Sequence, residues 1–328
     1  MTKPKIIITG AAGFIASNMA AALNAAGQNS LVLVDDFSRA DKEGNWQGKR
    51  YGTLLERSRL HGWIDAHHEE VGFIIHMGAR TDTTETRWPI FQELNLGYTE
   101  RLWGQCCRYH IPLIYASSAA TYGNGAHGYV DSHEIVPILR PMNAYGRSKN
   151  GFDKWALRQA AKGSQPPFWA GLKFFNVYGP NEYHKGRMAS VVLHTFESVS
   201  ATGSMGLFRS HRPDFKDGMQ LRDFVYVKDA CDVMLWLMEH KPQSGLYNLG
   251  TGRAQSFLDL AHATFKAMGK KPNIHFIDIP EDIRDKYQYF TEANMDKLRA
   301  AGYPKPFLNL DEGVKDYVKH YLMKHHYA

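Results

Sequence analysis

The sequence predicts an α/β fold: a doubly wound parallel sheet carrying a smaller, discontinuous C-terminal substrate-binding lobe. Three observations carry this expectation. Short apolar runs alternate with helical stretches through the first half of the chain. The first run, "KIIIT" (Lys5–Thr9), leads through a glycine turn into an Ala-rich helical stretch. The next run, "LVLVD" (Leu31–Asp35), ends in an acid at the spacing of one βαβ unit.

The elements follow in order. Phe14–Ala26 reads as the first helix and Leu31–Asp35 as the second strand. Residues 40–70 are polar and carry Gly44, Gly48, Gly52 and Gly62, so no third strand is placed there. "FIIH" (Phe73–His76) and "LIYAS" (Leu113–Ser117) read as buried strands, with a helix around Pro89–Arg108 between them. Asn143–Ala161 reads as helix and Trp169–Phe175 as strand. The second half is less regular. Met188–Thr202 reads as helix, and residues 203–222, rich in Gly, Pro and charge, as a long substrate-side loop or strand pair. Lys228–Glu239 is an amphipathic helical stretch, Leu246–Leu249 a late strand, Ser256–Met268 a helix, Ile274–Ile277 a strand and Leu310–Met323 a terminal helix. The expected division is a dinucleotide domain over 1–175, to which 223–252 returns, and a substrate lobe over 176–222 and 253–328.

Composition narrows the class. The chain has 328 residues, 44% hydrophobic and 22% charged, which is globular composition with length for a large core. A net charge of +6 favours an anionic small partner. The basic residues are scattered, which argues against nucleic acid. Three cysteines form no framework and no metal spacing, so no metal is expected and a reducing, cytoplasmic setting fits. Thr9, Gly10 and Gly13 interrupt the N-terminal apolar run, so it does not read as a leader, and no run approaches the length of a membrane span.

"TGAAGFIA" (Thr9–Ala16) sits between strand and helix. Gly10 and Gly13 let the backbone turn tightly and approach a pyrophosphate, which the open N–H groups and dipole of the helix favour. Asp35 and Asp36 suit two ribose hydroxyls, and so NAD. Arg39, Lys42, Lys49 and Arg50 lie close in sequence and suit the extra phosphate of NADP. "HMGA" brings Met77, Gly78 and Ala79 to a strand end, where small residues let backbone pack on the cofactor. "YASSAATYG" places Ser117 and Ser118 at the next strand end, within reach of a reacting hydroxyl. "YGRSK" puts Tyr145 and Lys149 four apart, on one helix face. For Tyr145 to act as a base near neutrality, its pKa must fall by about three units, roughly 4 kcal/mol. A neighbouring ammonium pushes it that way.

On "TGAAGFIA", "YASSAATYG", the Tyr145–Lys149 pair and "FFNVYGP" (Phe174–Pro180), the chain resembles the extended short-chain dehydrogenase/reductase superfamily, with its Rossmann-like sheet. Within it, "HKGRMAS", "LRDFVYVKD", "YNLGTGRAQSF" and "NMDKLRAAGYPKPF" resemble the ADP-L-glycero-D-manno-heptose 6-epimerase family. The resemblance covers nearly the whole chain. It implies an NADP-dependent homo-oligomer, a homopentamer, that inverts C6 of an ADP-heptose through a 6-keto intermediate, in supply of lipopolysaccharide core precursors. It implies a second acid/base at Lys185, which also borders the cofactor. Phe14, Ile15, Asp35, Asp36, Lys42, Asn95, Lys149 and Val177 match cofactor positions. Asn176, His194, Phe208, Arg222 and Tyr287 match substrate positions, with Arg222 a candidate diphosphate clamp or an ion-pair partner of Asp223. Four departures stand out: Asp36 where asparagine is usual, Arg187 where a serine often touches substrate, Arg80 in place of a small or cysteine residue beside the cofactor, and a segment over 209–221 longer than in some members.

Three other readings follow from the same residues. A 4,6-dehydratase requires an Asp-Glu pair where this chain has Ala119 and Ala120, so β-elimination lacks its acid and base. A UDP-hexose 4-epimerase would use Tyr145 alone and leave "HKGRMAS" without a chemical role. A non-catalytic cofactor sensor has no need of the Ser117, Ser118, Tyr145 and Lys149 set.

Overall fold

The computed structural model describes residues 4–284 and 287–328. Among these, the strands in chain order are β1 (Lys5–Thr9), β2 (Leu31–Asp35), β3 (Thr53–Glu56), β4 (Val71–His76), β5 (Leu113–Ser118), β6 (Trp169–Phe174), β7 (Asn176–Tyr178), β8 (Met205–Phe208), β9 (Leu221–Tyr226), β10 (Gly245–Leu249), β11 (Ala254–Ser256) and β12 (Ile274–Ile277). Seven of them form one sheet in the order β10-β6-β5-β4-β1-β2-β3, and every pairing in it is parallel. The predicted doubly wound, Rossmann-like sheet is therefore present. Its strands are near-continuous apolar runs because helices cover both faces. Ile7, Ile8, Val32, Leu33, Ile74 and Ile75 are fully buried in it.

The strand order reverses between β1 and β4. The loops leaving these strands diverge to opposite faces, which opens a crevice at their carboxyl ends. The second lobe holds a three-stranded sheet, β11-β9-β7, and a parallel pair, β12-β8. Helices Val191–Thr202, Phe257–Met268 and Leu310–His320 pack around them. The chain reaches this lobe after β6, returns to the large sheet at β10, and leaves again.

Four local readings change. β3 does exist, pairing with β2 from Val32↔Thr53 to Asp35↔Glu56, in the stretch where no strand was expected. The helix expected from Met188 begins at Val191, because Gly186 at φ 50° breaks the chain and Ser190 caps the helix on the Leu193 N–H. The terminal helix closes at His320, short of Met323, and a separate turn covers Leu322–Lys324. The helix expected around Pro89–Arg108 is interrupted by a π-helical stretch, Gln92–Gly97, that carries Asn95.

Candidate active site

The glycine turn closes the end of β1. Gly10 has φ 70°, and a Cβ there would lie 2.8 Å from the backbone of Gly78. Only glycine therefore allows the β1 and β4 loops to touch. Gly13 is the N-cap of helix Phe14–Ala25, with no side-chain cap and no acid in the first turn. Its first N–H groups and dipole are left for an anion. A pyrophosphate fits this cradle on backbone grounds alone.

Asp35 does not offer its carboxylate outward. One oxygen accepts from the Ala12 N–H at 2.9 Å, the other from its neighbour's N–H at 2.7 Å. It braces the turn. Asp36 lies at the rim, and hydrogen bonds from Ser38 hold its carboxyl below the usual range. Lys42 approaches Asp35 to 3.8 Å, and Arg57 approaches Asp36 to 3.7 Å. Arg39 is paired with Asp41. Lys49 and Arg50 point elsewhere: Lys49 to the Ala328 carbonyl, Arg50 to the Asn24 carbonyl at the far end of the first helix. Neither lies at the Asp36 rim, whereas Arg57, missed in the sequence, does.

Behind the turn runs a directed hydrogen-bond chain. The Gly78 N–H donates to Thr9 Oγ1 at 3.1 Å, and Thr9 lies 2.6 Å from His76 Nδ1. His76 Nε2 lies 2.9 Å from Thr99 Oγ1, which itself donates to the Asn95 carbonyl at 2.7 Å. Thr99 must therefore accept from Nε2–H, which leaves Nδ1 to accept from Thr9. Complete burial pushes the imidazole pKa down to about 3, so the ring is neutral. Asn95 continues the chain: its amide brackets the Arg80 backbone and donates to Ser148 Oγ at 2.9 Å, and Ser148 donates to the Tyr145 carbonyl at 2.7 Å. Asn95 thus ties the β4 loop to the helix of the reactive pair. The Arg80 side chain turns to Asp82 and Glu85.

That helix, Ala144–Ala161, starts at Asn143, whose side chain accepts from the Gly146 N–H at 2.7 Å. Lys149 is buried, and Nζ donates to the Ala116 carbonyl at 2.8 Å. Burial lowers its pKa to about 8, with Asp153 opposing. Tyr145 is hydrogen-bonded by Ser118, which favours phenolate, yet burial dominates and raises the phenol above its ordinary value. The lowering expected from the sequence is not a property of the chain alone, and requires added positive charge at the phenol.

Ser117 and Ser118 lie on opposite faces of β5, as strand alternation demands. Ser118 faces Tyr145. Ser117 is buried and donates to Asp153 at 2.7 Å. Asp153 also accepts from Tyr115 at 3.1 Å and from Lys173 at 2.7 Å, and both members of that ion pair are fully buried. The structure therefore brings Ser118, Tyr145 and Lys149 together and assigns Ser117 to the anchor beneath them.

The first half of "NEYHKGRMAS" is docked, with Asn181 and Glu182 buried, while Gly186, Arg187 and Met188 are exposed. Buried amides staple it to the first helix and its turn. Asn18 donates to the Pro180 carbonyl at 2.8 Å, Asn181 to Ser17 at 2.9 Å, and Asn45 to the carbonyls of Ala12 and Asn181 at 2.9 and 3.0 Å. The Lys185 ammonium stands over the Phe14 ring, 5.1 Å from its centroid, and burial lowers its pKa. His184 lies 3.2 Å from Asn45 Nδ2, and burial together with Lys42 and Lys185 brings it to about 4. Lys185 thus lies at the head of the cofactor helix. Ile15 packs against two cores there, and Val177 beside it pairs with Val225.

The sequence profile described as the NAD dependent epimerase/dehydratase family matches residues 6–250. The chain belongs to that family. It is 46% identical over 329 aligned residues to the ADP-L-glycero-D-manno-heptose-6-epimerase of Fusobacterium nucleatum, covering 97% of this chain and 98% of that protein. The enzyme of the same name from Nitratidesulfovibrio vulgaris is 45% identical, over 96% of this chain and 97% of its own length. Among solved structures, the Helicobacter pylori ADP-L-glycero-D-manno-heptose-6-epimerase superposes with a TM-score of 0.80 at 27% identity, covering 97% of this chain and 96% of that one. The Thermus thermophilus UDP-glucose 4-epimerase, solved in complex with NAD, gives 0.75 at 25% identity, over 96% and 98%. This epimerase-family chain is accordingly an enzyme built for a nicotinamide cofactor.

The second lobe of this family member carries the remaining candidates. Arg222 on β9 is buried, donates to the carbonyls of Leu221 and Gln288, and lies between the rings of Phe257 and Tyr287 at 5.6 and 5.3 Å. It is not paired with Asp223. That carboxylate is saturated by the N–H groups of Thr251, Gly252 and Ala293 and the Thr251 hydroxyl. A buried guanidinium with spare donors and no carboxylate within ion-pair range among the described residues is suited to an anion. Tyr287 meets Phe208 edge-on at 5.9 Å, extending the aromatic wall. Asn176 is exposed at the start of β7, His194 is half-buried in the helix after Ser190, and Arg187 is exposed beyond the Gly186 kink. Among the described residues no cluster of metal-binding side chains occurs, and no helix is long and apolar enough to cross a membrane.

Proposed function

We propose that the chain inverts C6 of ADP-D-glycero-D-manno-heptose to the L-glycero epimer by transient oxidation to a 6-keto intermediate. The observation that carries this reading is the presence of two proton carriers on separate segments, each shifted by burial from its ordinary pKa. Tyr145, set by Ser118 and Lys149, is one. Lys185, pinned by buried amides to the head of the cofactor helix, is the other. Inversion at a carbon outside the sugar ring presents its oxygen in two positions as the C5–C6 bond turns. Two proton-handling groups then serve the two positions, one as base and one as acid.

Gly10, Gly13 and the open N–H groups behind Phe14 would hold the pyrophosphate, and Lys149 a ribose hydroxyl. When bound, the oxidised nicotinamide supplies a hydride acceptor that returns the same hydride, so the cofactor is not consumed. The residues of this chain do the rest. Lys149 keeps positive charge beside Tyr145, Ser118 hydrogen-bonds the phenol oxygen, and Arg222 grips the diphosphate of the substrate against Phe257 and Tyr287. The Asn95–Ser148 bond fixes the helix that carries the pair.

We infer NADP over NAD. The support is the closed geometry of Asp35, whose oxygens are committed to backbone, and the cations Lys42 and Arg57 at the Asp36 rim. Chromatography of the cofactor released on denaturation tests this, and recovery of NAD alone overturns it. The same reading carries a cytoplasmic homo-oligomer, measurable by light scattering. The function itself is tested by incubating the purified protein with ADP-D-glycero-D-manno-heptose and, separately, UDP-galactose, following the stereocentres by NMR. Turnover of the heptose that is lost in Lys185→Met supports the proposal. Turnover of UDP-galactose alone, unaffected by Lys185→Met, makes the chain a 4-epimerase.

A further inference from the structure

Glu182, three residues before Lys185, is fully buried, a costly place for a carboxylate. Its oxygens accept from the Ser190 N–H at 2.7 Å and the Ser190 hydroxyl at 2.6 Å, with the Gly179 N–H at 3.4 Å. Among the described residues, no ion pair to it lies within salt-bridge range. Its carbonyl accepts from the Lys185 N–H at 2.9 Å, so one tight turn carries both side chains. We propose that the Glu182 carboxylate is the buried counter-charge of the Lys185 ammonium, a positioning role that rests on the reading of Lys185 as an acid/base group.

The surroundings leave the two groups to each other. Glu182 is faced by Tyr183 and Lys185 from its own turn and by Tyr317 from helix Leu310–His320, and among these described groups Lys185 is the cation. Lys185 is faced by the Phe14 ring from the cofactor helix and by His184, which burial keeps neutral above about pH 4. Burial lowers the amine and raises the carboxyl, and each charge opposes the shift of the other. An amine against an aromatic ring with no counter-charge would give up its proton too readily to return it to substrate. A carboxylate in direct contact would lock the proton in place. A carboxylate held by Ser190 and separated by one turn supports the ammonium without claiming it.

The test is Glu182→Gln, whose carbonyl still accepts from Ser190 while the charge is gone. The Lys185 titration is read directly, by mass-spectrometric measurement of its acylation rate against pH in the full chain. The midpoint moves down by on the order of one pH unit. The limb of the kcat profile that Lys185 governs moves the same way, because less support for the ammonium means loss of its proton at lower pH. A purely structural role for Glu182 lowers kcat evenly and leaves both midpoints in place, which overturns the inference. If Glu182→Gln does not fold, linkage supplies the reciprocal measurement: in Lys185→Met the Glu182 carboxyl, followed by 13C NMR, must titrate at higher pH. An unmoved carboxyl overturns the inference there. Retained turnover in Lys185→Met instead removes the acid/base reading of Lys185, and the acylation midpoint does not depend on turnover, so the two failures are distinguishable.

Discussion

Replacing Lys173 with Met tests what holds the reactive helix to the sheet. Lys173 on β6 and Asp153 on helix Ala144–Ala161 form an ion pair at 2.7 Å with neither side chain exposed. Removing one partner of such a pair leaves a buried, uncompensated charge and costs about 3–5 kcal/mol. A domain's whole stability is about 5–15 kcal/mol. Lys173→Met and Asp153→Asn should each take a large part of it. The double variant removes both charges together. What it loses is the strength of the Tyr115 and Ser117 hydroxyl bonds to a charged acceptor, about 1–2 kcal/mol in all. It should therefore be more stable than either single variant, by about 1–4 kcal/mol. In urea denaturation followed by tryptophan fluorescence, that is a midpoint higher by on the order of 0.5 M. The consequence reaches the site because Asp153 lies one turn beyond Lys149. Its bonds to Tyr115 and Ser117 flank Ala116, whose carbonyl holds the Lys149 amine. Additive single effects, with the double variant the least stable of the three, would refute the claim that this pair acts as a unit.

Three other outcomes follow. Tyr145→Phe removes the phenol and leaves the Lys149–Ala116 bond intact, so kcat should fall about 10²–10⁴-fold in the NMR epimerisation assay while cofactor binding by fluorescence is kept. Arg222→Met keeps the packing between Phe257 and Tyr287 but removes the donors, so KM for the nucleotide-sugar should rise about 10–100-fold with kcat little changed; an unchanged KM removes the clamp. His76 is held at about 3 when folded and rises to the ordinary imidazole value of 6.5 on unfolding. The unfolded chain then binds the extra proton, so stability is lost as pH falls from about 6.5 toward 3, by up to roughly 5 kcal/mol. Denaturation midpoints collected across that window check the sign, and a His76→Gln variant should flatten this part of the curve.

The strands most legible in the large sheet are those buried on both faces. "KIIIT", "LVLVD" and "LIYAS" have no polar alternation to confuse them. β3 escaped because it is the edge strand: of "TLLE", Leu55 alone is buried, so no apolar run announces it. The helix after Ser190 was begun early because the composition of "GRM" does not reveal the Gly186 kink. Within the site, residues whose chemistry is local were legible: the glycine turn, Ser118 and the Tyr145–Lys149 pair four apart. Lys49 and Arg50 were misplaced because proximity in sequence says nothing about direction, and both point away from the rim. Asp153 carried a signal that went unread, since it lies four residues beyond Lys149 on the same helix face. Glu182 carried none, because an acid beside a basic loop reads as solvated charge until its burial is known.

The bunched charge of "NEYHKGRMAS" shows how a sequence can be locally misleading and still be unambiguous as a fold. Charge on a turn is ordinarily hydrated, and burying it costs free energy that must be recovered elsewhere. Here the recovery comes from Asn18, Asn45 and Asn181, whose amides satisfy carbonyls and a hydroxyl that docking the segment on the first helix would otherwise strand. A buried amide left unpaired is itself costly, so these bonds admit one docked position and not a range. The cofactor turn and Lys185 are consequently set by the same three side chains. A change at that turn acts on the framework that places Lys185. The turn at the head of the first helix and the segment that carries Lys185 therefore share one set of buried hydrogen bonds.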